Sequence, residues 1–140
     1  MYQVYNWTDS PSIVSRDRLL ILDPHEEWSE GGPVYNLVTE AEDPAIKGQM
    51  AAFGAVIEHL DQQLDGTAIR IPLRTKDQAE KSYISKRVTT VSEVTEVLRS
   101  FASEFGGSGL LFMRSVERLE ITSTDVSIVI EMADREALRA

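Results

Sequence analysis

The sequence predicts an α+β fold, a two-layer α/β sandwich with a mostly antiparallel or mixed sheet and helices on one face. Three observations predict it. The first third alternates short β-type runs with turn residues, the middle carries two apolar stripes at helical spacing, and two further β-type runs close the chain around Ser123-Thr-Asp125. A chain of 140 residues with 42% hydrophobic and 26% charged residues has the composition of an ordinary globular protein, long enough for one core. A single domain spanning 1–140 is expected.

Tyr2 to Trp7 alternates and predicts a strand, interrupted at Thr8-Asp-Ser-Pro11. Ser12 to Val14 and Arg18 to Leu22 flank the turn-like Ser15-Arg-Asp17 and predict a hairpin. Leu19 to Leu22 is apolar on both faces, as in a strand covered on both sides. Pro24, which has no N–H to give a ladder, stops it. An acidic, glycine-bearing loop follows from His25 to Pro33, and Val34 to Val38 predicts one more short strand.

Asp43-Pro44 has the form of an N-cap followed by proline at the first helical position. Ile46, Met50, Phe53, Ile57, Leu60 and Leu64 form one stripe of an amphipathic helix ended by Asp65-Gly66. Gly48 and Gly54 weaken it by about 1 kcal/mol each relative to alanine, so the stripe fits either a packed helix or a lid-like element. Thr67 to Leu73 reads as a strand limited by Pro72, and the charged run Lys76 to Lys86 as a short surface helix. Thr90-Val-Ser-Glu93 is a capping box. It opens a second stripe of Val91, Val94, Leu98, Phe101 and Phe105, with Gly106-Gly107 as the expected stop. Gly109 to Met113, Arg118 to Thr122 and Val126 to Glu131 are predicted strands, and Asp134 to Ala140 a terminal helical turn.

Fourteen basic against 23 acidic residues leave a net charge of −9. That argues against nonspecific nucleic-acid binding, which needs clustered Lys and Arg against phosphate. No apolar run approaches the roughly 20 residues of a membrane span, and the first residues have neither a basic nor an apolar signal region. With no cysteine, disulfides, thiolate zinc sites and a thiol nucleophile are excluded. The expectation is a soluble, intracellular, cytoplasmic protein with no nucleic-acid or membrane partner.

Residue spacing alone yields no catalytic constellation and no metal site. His25 and His59 are the only imidazoles, and Asp23-Pro24-His25-Glu26 matches no helical ligand spacing, so it reads as a polar turn. Gly106-Gly-Ser-Gly109 follows a predicted helix and precedes a predicted strand, the reverse of a phosphate cradle, and reads as a C-cap. Glu26, Glu27 and Glu30 read as a solvated acidic loop. The serines and threonines have no histidine that spacing assigns to them as a base.

Read in order, several blocks resemble the sacsin/Nov domain. They are Val4-Tyr-Asn-Trp-Thr-Asp-Ser-Pro-Ser-Ile13, Leu20-Ile-Leu-Asp-Pro-His25, Asp65-Gly-Thr-Ala-Ile-Arg-Ile-Pro-Leu-Arg-Thr75 and Leu110-Leu-Phe-Met-Arg-Ser-Val116, with Ile69 and Ile71 where that family carries aromatics. The sacsin/Nov domain is in turn similar to the ATPase domain of the ninety-kilodalton heat-shock chaperone, of the gyrase–histidine kinase–MutL class. The resemblance implies a Bergerat-like sandwich, here incomplete, holding ATP with magnesium. It also implies that the chain corresponds to the C-terminal portion of such a domain, because the family's Glu/Asn helix, Asp-x-Gly turn and Gly-x-Gly segment lie upstream of the matched region. Without them, hydrolysis by this chain alone is not expected.

By position, Gly66 and Thr67 match a Gly-Thr motif whose hydroxyl helps hold adenine. The residues alone read Thr67 equally as a strand residue with a locally bonded hydroxyl. Arg74 matches the family's Pro-Leu-Arg and is a candidate phosphate partner; a solvated or salt-bridged arginine is the alternative. A scaffold that keeps this fold without nucleotide is the competing class. Half a sandwich should leave apolar surface uncovered, parts of the stripe Ile46 to Leu64 included, and take a protein partner or self-associate.

Overall fold

The computed structural model describes residues 4–27, 32–54, 64–112, 116, 118–122 and 127–131. It is an α+β protein with antiparallel sheets, and the chain divides into two compact units, Met1–Thr89 and Thr90–Ala140.

The first unit is built on a four-stranded antiparallel sheet of order β3-β2-β1-β4, from β1 (Ser12–Arg16), β2 (Arg18–Ile21), β3 (Val34–Asn36) and β4 (Leu64–Arg70). The predicted hairpin is present, with Ser15 opposite Arg18 and Arg16 at φ 53 in its turn. Ladder positions Val14, Leu19 and Ala68 point to the face where Ile21 and Leu37 are also buried. Helix α1 (Pro44–Ala51) lays Ile46 and Met50 on that face, and Phe53 joins them from the turn beyond. This part of the stripe is thus packed core.

Four expected boundaries move. Tyr2 to Trp7 is not a strand where described: Val4–Asn6 is a 3-10 turn, closed by Trp7 and Thr8 N–H groups donating to the Val4 carbonyl. The neighbouring carbonyls of Tyr5 and Asn6 accept from Arg74, so side-chain donors take the place of a ladder. Helix α1 ends at Ala51 in a turn in which Phe53 N–H donates to the Met50 carbonyl. Ile57 and Leu60 lie outside the described residues. Leu64, Asp65 and Gly66, expected as the end of that helix, instead open β4, where Leu64 pairs with Arg16 of β1 and the register shifts before Thr67 pairs with Ser15. The strand stops at Arg70 rather than Leu73, just before Pro72.

Gly32, at φ +81, is fixed by a close approach: a Cβ there would sit 2.5 Å from the Ile21 carbonyl oxygen. Helix α2 (Lys76–Lys81) has a second capping box, between Thr75 and Gln78.

The second unit holds α3 (Val91–Phe112) and a hairpin of β5 (Arg118–Thr122) and β6 (Ser127–Glu131), with α3 against β6. The predicted capping box forms, with Glu93 N–H donating to Thr90 Oγ1 at 3.2 Å and Thr90 N–H donating to Glu93 at 2.7 Å. The glycines do not stop the helix. It continues through Gly106–Gly109 to Phe112, where a C-cap and then a strand were expected. Leu110 is buried, and burying a leucine contributes about 1.5–3 kcal/mol, enough to offset most of the penalty of three helical glycines. The expected turn at Ser123-Thr-Asp125 and the expected terminal turn from Asp134 lie outside the described residues. Among the described residues, no helix is long and apolar enough to cross a membrane.

Candidate functional site

The end of β4 delivers the most heavily bonded side chain described. Past Pro72 the chain runs extended, and Arg74 N–H donates to the Trp7 carbonyl at 2.8 Å, tying residues 71–74 to the 3-10 turn. The Arg74 side chain then turns inward and is almost wholly buried. A guanidinium carries five N–H donors, and here all five are used. Nε donates to Asp9 Oδ1 at 2.9 Å; Nη1 donates to the carbonyls of Asn6 (3.2 Å) and Arg87 (2.9 Å). Nη2 donates to the Tyr5 carbonyl at 2.8 Å and again to Asp9 Oδ1.

Asp9, whose side chain is 13% exposed, lies in the Thr8-Asp-Ser-Pro11 segment, in which Ser10 N–H donates to Thr8 Oγ1. Its second oxygen, Oδ2, lies 3.1 Å from His25 Nε2. Burial pushes the Asp9 carboxyl up, but hydrogen bonds from Arg74, Ser82 and His25 outweigh it and hold the group below its ordinary value. Ser82 itself is buried, its Oγ accepting from the N–H groups of Ile84 and Ser85 just after α2. The His25 ring is tilted against Tyr83 at 5.4 Å between centroids. Thus the Thr-Asp-x-Pro, Asp-Pro-His and Pro-Leu-Arg segments, far apart in sequence, converge on one carboxylate.

Beside this cluster lies an open cleft of about 500 Å³. Asp9, His25 and Tyr83 form one side, and Glu27, Asp77 and Lys81 contribute charge. The geometry is not that of a serine hydrolase. In that arrangement the imidazole stands between carboxylate and nucleophile, whereas here the Ser82 hydroxyl and His25 both address Asp9. Nor do the described residues bring together three His, Asp or Glu side chains able to hold a metal ion. Chemically, the cluster fixes three chain segments to one another.

Gly66 and Thr67 are elsewhere. Both are exposed on β4, where Thr67 Oγ1 donates to Ser15 Oγ at 3.1 Å and Ser15 Oγ donates to the Gly66 carbonyl at 3.2 Å. Gly66 has open space where a Cβ would be, and its φ is +151. The structure does not bring this pair together with Arg74, which lies past the opposite end of the strand. His59 and Glu30 lie outside the described residues. Sequence reasoning missed Ser82, for which there was no spacing signal, and gave Asp9 no role although it stands in a quoted block.

Comparison with known proteins matches this chain, over residues 2–129, to the model of the Sacsin domain family. Human sacsin is 29% identical, over 94% of this chain and 3% of its own length, so the chain spans a small fraction of that relative. Shorter likenesses occur to glyceraldehyde-3-phosphate dehydrogenases. The chromosomal enzyme of Cupriavidus necator is 39% identical over 59 residues, covering 42% of this chain and 18% of the enzyme. That of Xanthobacter flavus is 33% identical over 61 residues, covering 44% and 18%. Those two likenesses leave more than half of the chain unmatched, whereas the family match runs through both units and includes Asp9, His25, Ser82 and Arg74. The chain belongs to the Sacsin domain family.

Proposed function

We propose that this chain is the scaffold portion of a sacsin-type, chaperone-like nucleotide-binding domain with a Bergerat-like fold, acting inside the cell and unable to hydrolyse ATP by itself. The Sacsin domain match supports the assignment, and the observation that supports weak nucleotide binding is the complete internal use of Arg74. With all five donors satisfied and the side chain buried, a phosphate could bind it only by displacing Asp9 or three backbone carbonyls. Breaking a buried ion pair in that way costs about 3–5 kcal/mol, comparable to the whole free energy of a millimolar ligand.

Thr67 supports the same reading in a different way. Its hydroxyl donates to Ser15 yet stays exposed, so a purine edge or bridging water at this position can recruit it without unburying anything. The magnesium-holding carboxylate and amide belong, by the family resemblance, to segments outside the matched blocks, so any nucleotide contact made by this chain is partial.

Titration of the chain with Mg-ATP in a calorimeter tests the proposal. The expected result is a dissociation constant of about 1 mM or weaker and no phosphate release. Micromolar affinity, or turnover above the buffer rate, overturns it.

A further inference from the structure

Leu19 to Ile21 is apolar on successive residues, so β2 presents apolar side chains to both faces of its sheet. The register shows where the second set goes. Ile13 of β1 stands opposite Leu20 of β2 and Ile69 of β4, and Leu20 stands opposite Val34 of β3. One continuous row, Ile69–Ile13–Leu20–Val34, therefore crosses all four strands on the face away from α1. Ile69 is 61% exposed and Val34 59% exposed at its two ends, and the central pair is half-buried. The neighbouring row carries Thr67 and Ser15, bonded to each other, and Arg18. Neither row contains a carboxylate, in a chain with 23 of them.

We propose that this second sheet face is a self-association surface on which the same face of another copy of the chain docks. The proposal is independent of the nucleotide reading. Charge selects the occupant. A basic partner is drawn to carboxylates, which this band lacks, whereas two copies each at −9 repel everywhere that carboxylates face each other. A neutral aliphatic row lets them meet without that repulsion. The row is also self-complementary: a two-fold axis through its middle sets aliphatic against aliphatic, with the sheets stacked about 10 Å apart. Four strands are only about 19 Å across. The contact falls in the small, transient class of interface, with a dissociation constant on the order of 100 µM.

Sedimentation equilibrium of the 140-residue chain, from about 5 to about 500 µM, tests this. The weight-average mass is expected to rise from monomer toward dimer, more steeply at high salt because screening weakens the repulsion between copies. Ile69→Lys and Val34→Lys are each expected to weaken association at least tenfold. Each changes the net charge from −9 to −8, so the loss does not come from greater overall repulsion between copies. Val91→Lys, at a position of α3 that is 72% exposed, is expected to leave association unchanged. Circular dichroism of each variant establishes that it is folded. A chain that stays monomeric throughout overturns the proposal, as does a dimer indifferent to both Ile69→Lys and Val34→Lys.

Discussion

At the residue scale, Asp9 joins distant segments of the first unit. Its carboxylate faces a buried guanidinium, an imidazole and a serine hydroxyl, and these partners hold its pKa below the ordinary carboxylate value despite burial. The sign of the consequence follows from linkage. A carboxyl whose folded pKa is depressed contributes stability that is fully present above its unfolded value, about 3.9, and is lost as pH falls through the folded value. Chemical denaturation should therefore show no contribution from Asp9 to pH dependence between about pH 5 and pH 7, and a loss beginning below about pH 4. In Asp9→Asn the overall stability is lower, but the decline between about pH 4 and pH 2 is shallower than in the parent. An equally steep decline in the variant would show that Asp9 is not the titrating group.

Among the elements, legibility tracked how locally each one is determined. The β1–β2 hairpin, the Thr90 capping box and the β5–β6 pairing were readable because turn residues and alternation fix them within a few positions. The register of β4 was not readable: Leu64 fits the helical stripe and the strand equally, and only pairing with Arg16 across the sheet decides. The 3-10 turn at Val4–Asn6 was hidden for the same reason, since its carbonyls are satisfied by an arginine 68 residues away from Asn6. In α3, local glycine preference predicted a stop and longer-range burial of Leu110 prevailed. Of the site, the blocks containing Asp9, His25 and Arg74 were legible as a family pattern, but their convergence was not, because no spacing rule links residues so far apart.

Helix α1 offers a test at this scale. Gly48 lies within it, and a Cβ there meets nothing within 4 Å. Gly48→Ala is expected to raise stability by about 0.5–1 kcal/mol through helix propensity and a less flexible unfolded chain. Gly32→Ala is expected to act oppositely, by about 1–3 kcal/mol, because its positive φ and the Ile21 carbonyl leave no room. Urea denaturation of the two variants checks both signs. A destabilising Gly48→Ala would mean that Pro44–Ala51 is not a packed helix in solution.

For the whole molecule, the first unit is organised around two features that composition does not reveal. A buried cluster locks three distant segments together, and a sheet is apolar on both faces with only one face covered by α1. The net charge of −9 sharpens the second feature, because it makes a carboxylate-free band conspicuous. The first feature bears on the proposed function, because it engages all five Arg74 donors inside the protein. A double-mutant cycle on Asp9 and Arg74, measured by urea denaturation of the parent, Asp9→Asn, Arg74→Met and the double variant, tests that claim most directly. If the pair is a structural lock, each single change costs about 3–5 kcal/mol and the double costs little more than either, so the coupling is nearly as large as one single loss. Additive losses, or an Arg74→Met variant as stable as the parent, would contradict it.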